Sequence, residues 1–257
     1  GFGFDLGGEK FLDIKCQSAG LSPSALVLVA TVRALKYHGG VKLADLQQPN
    51  AAAVEKGCCN MEKHLENAAL FKLPAVVAIN RFTSDTDDEI RVIQEKCKAM
   101  GVEAVVAEVW AHGGAGTEAL AHAVARAADN NNAAYQPLYD WSMSIEDKIK
   151  RVATSIYGAA EVEYMPKAKA DLKRIATLGL QGVPVCIAKT QKSLSDNADL
   201  IGRPSGFTLT VREIEIAAGA GFVVPITGEI MRMPGLPNVP AAENIDIDSQ
   251  GNITGLF

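Results

Sequence analysis

Three short runs of unbroken apolar residues punctuate the first half of the chain: Ala25–Thr31 (ALVLVAT), Pro74–Asn80 (PAVVAIN) and Glu103–Val109 (EAVVAEV). Their brevity and valine content predict strands covered on both faces. Between them, apolar positions recur every three or four residues. Val54, Cys58, Met61, Leu65 and Ala68 or Ala69 mark one face of a helix over Ala51–Lys72, and Ile90, Ile93, Cys97 and Met100 mark another over Thr86–Met100. Thr86 and Glu89 have capping-box spacing at the start of the second helix, and Gly101 stands at its end. A third helical pattern runs from Gly116 to Ala128, where Asp129-Asn130-Asn131-Asn132 breaks it. Strands alternating with helices predict a parallel sheet with right-handed crossovers.

The second half reads differently. Ser144 and Asp147 box the start of a helix through Tyr157, and Pro166 suits the first turn of another. Val183–Lys189, Phe207–Ile216 and Gly221–Ile226 read as strands. Met231–Pro240 (MRMPGLPNVP) is too rich in proline for regular structure. The fold class is therefore α/β, a parallel sheet with flanking helices over residues 1–140, followed by a smaller α+β region over 141–257.

Composition narrows the function. With 257 residues, 48% of them hydrophobic, the chain can bury a substantial core without staples. A net charge of −5 argues against a nucleic-acid partner. No apolar run approaches the roughly 18–20 residues of a membrane helix, so no membrane partner is expected. The five cysteines show no CxxC spacing, which excludes a sequence-encoded zinc or redox pair and suits reduced thiols in a cytoplasmic protein. No starting methionine is present; Gly1 opens on GFGFDLGGEKF, which reads as a chain cut inside a motif.

In open parallel sheets ligands lie beyond the carboxyl ends of the strands. There the sequence places Arg33, Lys36, His38, Gly39 and Gly40 after the first strand, Asn80-Arg81-Phe82 after the second, and Trp110, His112, Gly113 and Gly114 after the third. Phe82 and Trp110 either cap the sheet edge as core or face each other across a flat heterocycle, which needs about 7 Å between ring planes. The glycine-rich opening, with Lys10, is either an anion-binding backbone or a plain loop. It is no Walker motif, since GxxxxGK[ST] occurs nowhere in the chain. The polar turn 188–197, with Lys189, Thr190 and Ser195, is either a nucleotide or substrate loop or a solvated one. Asp5, Glu9 and Asp13, at four-residue spacing, are expected on the surface, as are His64 and His122. No metal-ligand spacing is present.

VATVRALKYHGG (Val29–Gly40) resembles a signature of the formate–tetrahydrofolate ligases, or formyltetrahydrofolate synthetases. DLGGEKFLDIKC, LPAVVAINRF, EVWAHGG, IYGAAEVEY, AKTQKSLSD, GRPSGFTLTVRE, MPGLPNVPAAENIDID and ITGLF resemble the same family in the same order, over essentially the whole chain. The resemblance implies part of a P-loop-type ligase domain. It implies that ATP (with Mg) and formate give formyl phosphate, which the N10 amine of tetrahydrofolate attacks to yield 10-formyltetrahydrofolate, ADP and phosphate. Phe82 and Trp110 would hold the pterin, and Gly7, with Gly3 beside it, would lie at formyl phosphate. The catalytic lysine and arginine, with the ATP phosphate loop, would lie in an N-terminal half not contained in this sequence, so turnover would need that half. No catalytic residue is assigned here. A homo-oligomer, commonly a tetramer, and a monovalent cation site are further implications.

The sequence departs from the family in three places. The common FPTDT reads Phe82-Thr83-Ser84-Asp85-Thr86, which is expected to loosen the loop beside the clamp. GGEG reads Gly113-Gly114-Ala115-Gly116, losing a carboxylate, and Phe4 and Gly8 replace two alanines. The alternative reading is a non-catalytic folate-binding or oligomerisation module partnered by a separate catalytic chain. A nucleotide-dependent reductase on the same sheet lacks its fingerprint here.

Overall fold

The computed structural model describes residues 3–131, 135–228, 239–251 and 253–255. Of the proline-rich stretch 231–240, residues 231–238 lie outside those described, as does Asn132 of the asparagine run.

The opening stretch is a helix, α1 (residues 3–19), so its reading as a plain loop does not hold. Two π-helical segments, Gly3–Gly8 and Phe11–Cys16, lead into a last turn, Gln17–Ala19, closed by Gly20 at φ +63°. Glycine costs about 1 kcal/mol per residue in a helix, but burial overrides that. Phe4, Leu12 and Cys16 pack into a core with Phe71, Tyr139, Ile149, Tyr157 and Val211, so this core joins residues from both sides of position 140. Phe4 meets Phe71 edge to face at 5.9 Å. The ring of Phe4 also covers Gly8, where an added Cβ would lie 2.4 Å from Phe4 Cδ2. The two departures from the family's alanines thus fit each other, one turn apart on the helix.

Strands β1 (Leu26–Ala30), β2 (Ala75–Asn80) and β3 (Glu103–Ala107) form the expected parallel sheet in that order. Ala78 pairs with Val29 on one side and Val105 on the other, and Asn80 pairs with Ala107. One face is covered by α2 (Val32–His38), α3 (Ala51–Leu70) and α4 (Asp87–Ala99), which bury Leu35, Val54, Met61, Leu65, Ile90 and Ile93 with Val77 and Ile79. The Thr86–Glu89 capping box forms as its spacing predicts. Helix α2 begins one residue past β1, because Thr31 accepts a hydrogen bond from the Ala34 N–H. It packs on α3 at glycine distance: an added Cβ at Gly57 would lie 1.8 Å from the Leu35 carbonyl oxygen, and one at Gly39 would lie 2.0 Å from that of Ala53.

On the other face, β3 ends before Val109, which starts the short α5 (Val109–His112), and α6 (Glu118–Asp129) lies against β2 and β3. Val27 and Val29 of β1 are 42% and 63% exposed, so the expectation of strands covered on both faces fails for β1 among the described residues.

The rest of the chain builds a mixed sheet. After α7 (Ile145–Val152) and its π-helical extension Ala153–Tyr157, β4 (Glu161–Tyr164) pairs parallel with β5 (Thr208–Ala217), and β5 pairs antiparallel with β6 (Phe222–Thr227). Helix α8 (Pro166–Thr177) starts on its proline and packs on β5. The predicted strand Val183–Lys189 is reduced to two parallel bridges, Val185 to Val223 and Ala188 to Ile226. Pro184 and Pro225 have no N–H to give, which interrupts a longer ladder. A two-stranded pair, β7 (Asp246–Ile247) and β8 (Ile253–Thr254), closes the described chain.

Candidate functional site

Side chains alternate along a strand, so Val77 and Ile79 of β2 face the helices while Ala78 and Asn80 face the opposite side. Phe82 continues that second set, just past the strand. A recess of about 470 Å3 opens there. Val27, Val29, Ala78 and Ala107 line it from the sheet, Val109 and Leu120 from the following segments, and Phe82 and Trp110 bring their rings to it. Trp110, on α5, is 64% exposed, so it is not a core residue capping the sheet.

The two aromatic loops are tied together. The Trp110 indole N–H donates to the Arg81 carbonyl at 3.2 Å, and the Arg81 backbone N–H donates to the Ala107 carbonyl at 3.2 Å. The Arg81 guanidinium pairs with Asp87 at 2.9 Å and reaches Glu108 at 4.0 Å. The loop lacking the family's proline is closed from both sides: the Phe82 N–H donates to Asp85 Oδ2 at 2.8 Å, and the Asp85 N–H donates to the Phe82 carbonyl at 3.0 Å. Asp85 is buried. Arg33 places its guanidinium 5.0 Å from the Phe82 ring centre without lining the recess. Sequence reasoning did not foresee that contact, because Arg33 and Phe82 meet only once both strands are aligned.

A second recess, of about 240 Å3, shares Val29 with the first. Gly3, Asp5, Thr31, His38, His64 and Ser193 are among its lining. Gly7 lies farther along α1, half-buried, and lines neither recess. The segment expected to be solvated is largely buried at Lys189, Thr190, Ser193 and Ser195. Lys189 pairs with Asp5 at 2.7 Å and donates to the carbonyls of Thr190 and Ser193, which uses all three of its N–H donors. Ser195 Oγ lies 2.9 Å from Ser193 Oγ and donates to the Asn197 carbonyl.

Asp5, Glu9 and Asp13 are buried rather than on the surface, because α1 turns that stripe inward. Burial, then the neighbouring Asp13, pushes the Glu9 carboxyl up, and burial takes Asp13 to about 7. Both oxygens of the Glu9 carboxyl and Oδ2 of Asp13 are buried without a hydrogen-bond partner among the described residues. His64 is half-buried, with Nδ1 shielded from solvent, whereas His122 is exposed beside Glu118.

Among known families, the model described as formate–tetrahydrofolate ligase matches residues 1–257. The chain belongs to the formate–tetrahydrofolate ligase family. Membership implies a ligase of folate one-carbon metabolism, with formate, ATP and tetrahydrofolate as substrates. No helix among the described residues is long and apolar enough to cross a membrane.

The signature stretch that this ligase family shares with the chain has one readily measured consequence. His38 accepts the Gly202 N–H on Nδ1 at 3.0 Å, and burial, then His64, holds its pKa down at about 4. The unfolded chain therefore binds the extra proton first, and stability is lost as the pH falls from about 6.5 toward 4. The Glu9–Asp13 pair works in the opposite sense, costing stability as the pH rises toward 7. Urea midpoints across this range for wild type and His38→Gln separate the two: the variant is expected to lose less on acidification, and parallel curves would exclude the histidine.

Proposed function

We propose that the chain is the folate-binding part of an ATP-dependent formate–tetrahydrofolate ligase, with Phe82 and Trp110 gripping the pterin. The observation that carries this reading is one apolar recess beyond the strand ends, with two rings at it held by the Trp110–Arg81 bond. A flat heterocycle between them is stacked on both faces and removed from water. The uncovered valines of β1 add apolar surface to the same recess.

In this reading, formate and ATP first give formyl phosphate, whose carbonyl carbon the N10 amine attacks, with phosphate leaving. Gly3 and Gly7 of α1 lie toward formyl phosphate. Holding the two reactants in register is the contribution expected of this part. ATP phosphates are held by residues outside these 257, since the chain contains no phosphate-loop motif. Lys189, Thr190 and Ser195 act here as scaffold, their polar atoms committed to neighbours.

Calorimetric titration with tetrahydrofolate tests the clamp. Trp110→Ala and Phe82→Ala are each expected to weaken binding by about 1–3 kcal/mol, the scale for a stacked aromatic. Unchanged affinity in both would remove the clamp.

A further inference from the structure

Stacking holds a ring but does not read which ring it is, because every flat heterocycle has a π face. Discrimination needs a polar group in the plane of the ligand, at its edge. Among the residues lining the recess, six are aliphatic and two are the aromatic pair; the remaining one is Asn80. The indole N–H, the other polar side-chain group there, is already given to the Arg81 carbonyl. No hydrogen bond of the Asn80 side chain to a described residue is present.

The placement follows from the strand. Asn80 is the last residue of β2, on the same face as Ala78, beside Ala107 and two residues before Phe82. It therefore stands between the segments that carry the two rings. Its carboxamide presents an acceptor and a donor side by side in one plane. That pair is complementary to a ring N–H next to a ring carbonyl, the lactam edge of an oxidised pyrimidine ring.

We infer that Asn80 is the specificity-determining residue of the recess and reads the lactam edge of the bound heterocycle. Its Oδ1 accepts from the ring N–H and its Nδ2 donates to the ring carbonyl. This rests on the folate reading above, because the pterin of tetrahydrofolate carries such an edge. An analogue with hydrogen in place of the carbonyl oxygen loses the ring N–H along with the carbonyl acceptor, so only its ring nitrogen can pair and half of the carboxamide is left unpaired whichever way it is turned.

The test compares tetrahydrofolate with its 4-deoxy counterpart, which carries C–H in place of the carbonyl on the same ring system and tail, by calorimetry on the full chain. Wild type is expected to prefer the lactam by roughly 10–100-fold, the span of one or two hydrogen bonds. Asn80→Leu, similar in size and without polar atoms, is expected to erase that preference. Asn80→Ser supplies a second loss-of-preference variant should the leucine protein fail to fold. An unchanged ratio in the folded variants overturns the inference. If tetrahydrofolate binds but neither Phe82→Ala nor Trp110→Ala weakens it, the folate clamp itself falls; if they weaken it while the Asn80 ratios stay fixed, only the edge reading falls.

Discussion

Lys36→Met is expected to destabilise the fold by about 3–5 kcal/mol, the usual cost of stranding one member of a buried ion pair. Lys36 and Glu89 are both fully buried and lie 3.1 Å apart. Lys36 also donates to the Gln48 carbonyl at 3.0 Å. Glu89 accepts from the backbone N–H groups of Asn50 at 2.8 Å and Thr86 at 2.9 Å. Burial pushes the Glu89 carboxyl up, but these N–H donors and Lys36 outweigh it and hold the group below the usual carboxylate range. Removing the lysine leaves a fully buried charge with no other cation paired to it among the described residues. The pair links the signature helix α2 to the start of α4, so the loss should be cooperative. Urea unfolding of Lys36→Met, Glu89→Leu and the double variant gives the coupling. The double variant is expected to recover part of the loss, since two apolar side chains leave no stranded charge. It should not recover all of it, because the Thr86 cap and the Asn50 N–H still lose their acceptor. Additive single losses would show that the pair is not coupled.

Gly57→Ala is the second large effect. In an open helix this change would gain about 1 kcal/mol from propensity. Here the new Cβ would meet the Leu35 oxygen at 1.8 Å, the Leu35 carbonyl carbon at 2.7 Å and the Gly39 nitrogen at 2.8 Å. All three are backbone atoms, so no rotamer change relieves the contact and α2 must move off α3. Overpacking of this kind costs about 1–3 kcal/mol, and a backbone obstruction belongs at or beyond the upper end. The expected readout is a lowered thermal midpoint, at about 2–4 °C per kcal/mol for a chain of this size. Because α2 carries Arg33, which stacks on Phe82, tetrahydrofolate affinity should fall as well. A midpoint at or above wild type would mean the two helices are less tightly apposed than this.

These glycines show what could be read from sequence and what could not. The valine runs and the Thr86–Glu89 spacing are local signals, and they became β1 to β3 and a capped α4 because local propensity and tertiary packing agree there. At α1 they disagree: glycines argue for a loop, while Phe4 and Leu12 find a core built by residues far along the chain. The Lys189–Asp5 pair was illegible for the same reason, since its members come from opposite ends of the sequence. β4 was missed because four alternating residues give a weak signal. The positions of Phe82 and Trp110 just past strand ends were legible, but their suggested role came from resemblance and not from spacing. Asn80 was within reach, because alternation along the second valine run already places it on the face of Ala78 and ahead of Phe82.

The contact between Phe4 and Gly8 also favours one order in which that helix can be edited. With the phenyl ring where it lies, a methyl group at position 8 pushes it off its edge-to-face contact with Phe71. With a small residue at position 4, either choice at 8 is sterically free. The route between this pair and a pair of alanines that leaves the ring undisturbed therefore passes through the intermediate that lacks both the ring and the methyl.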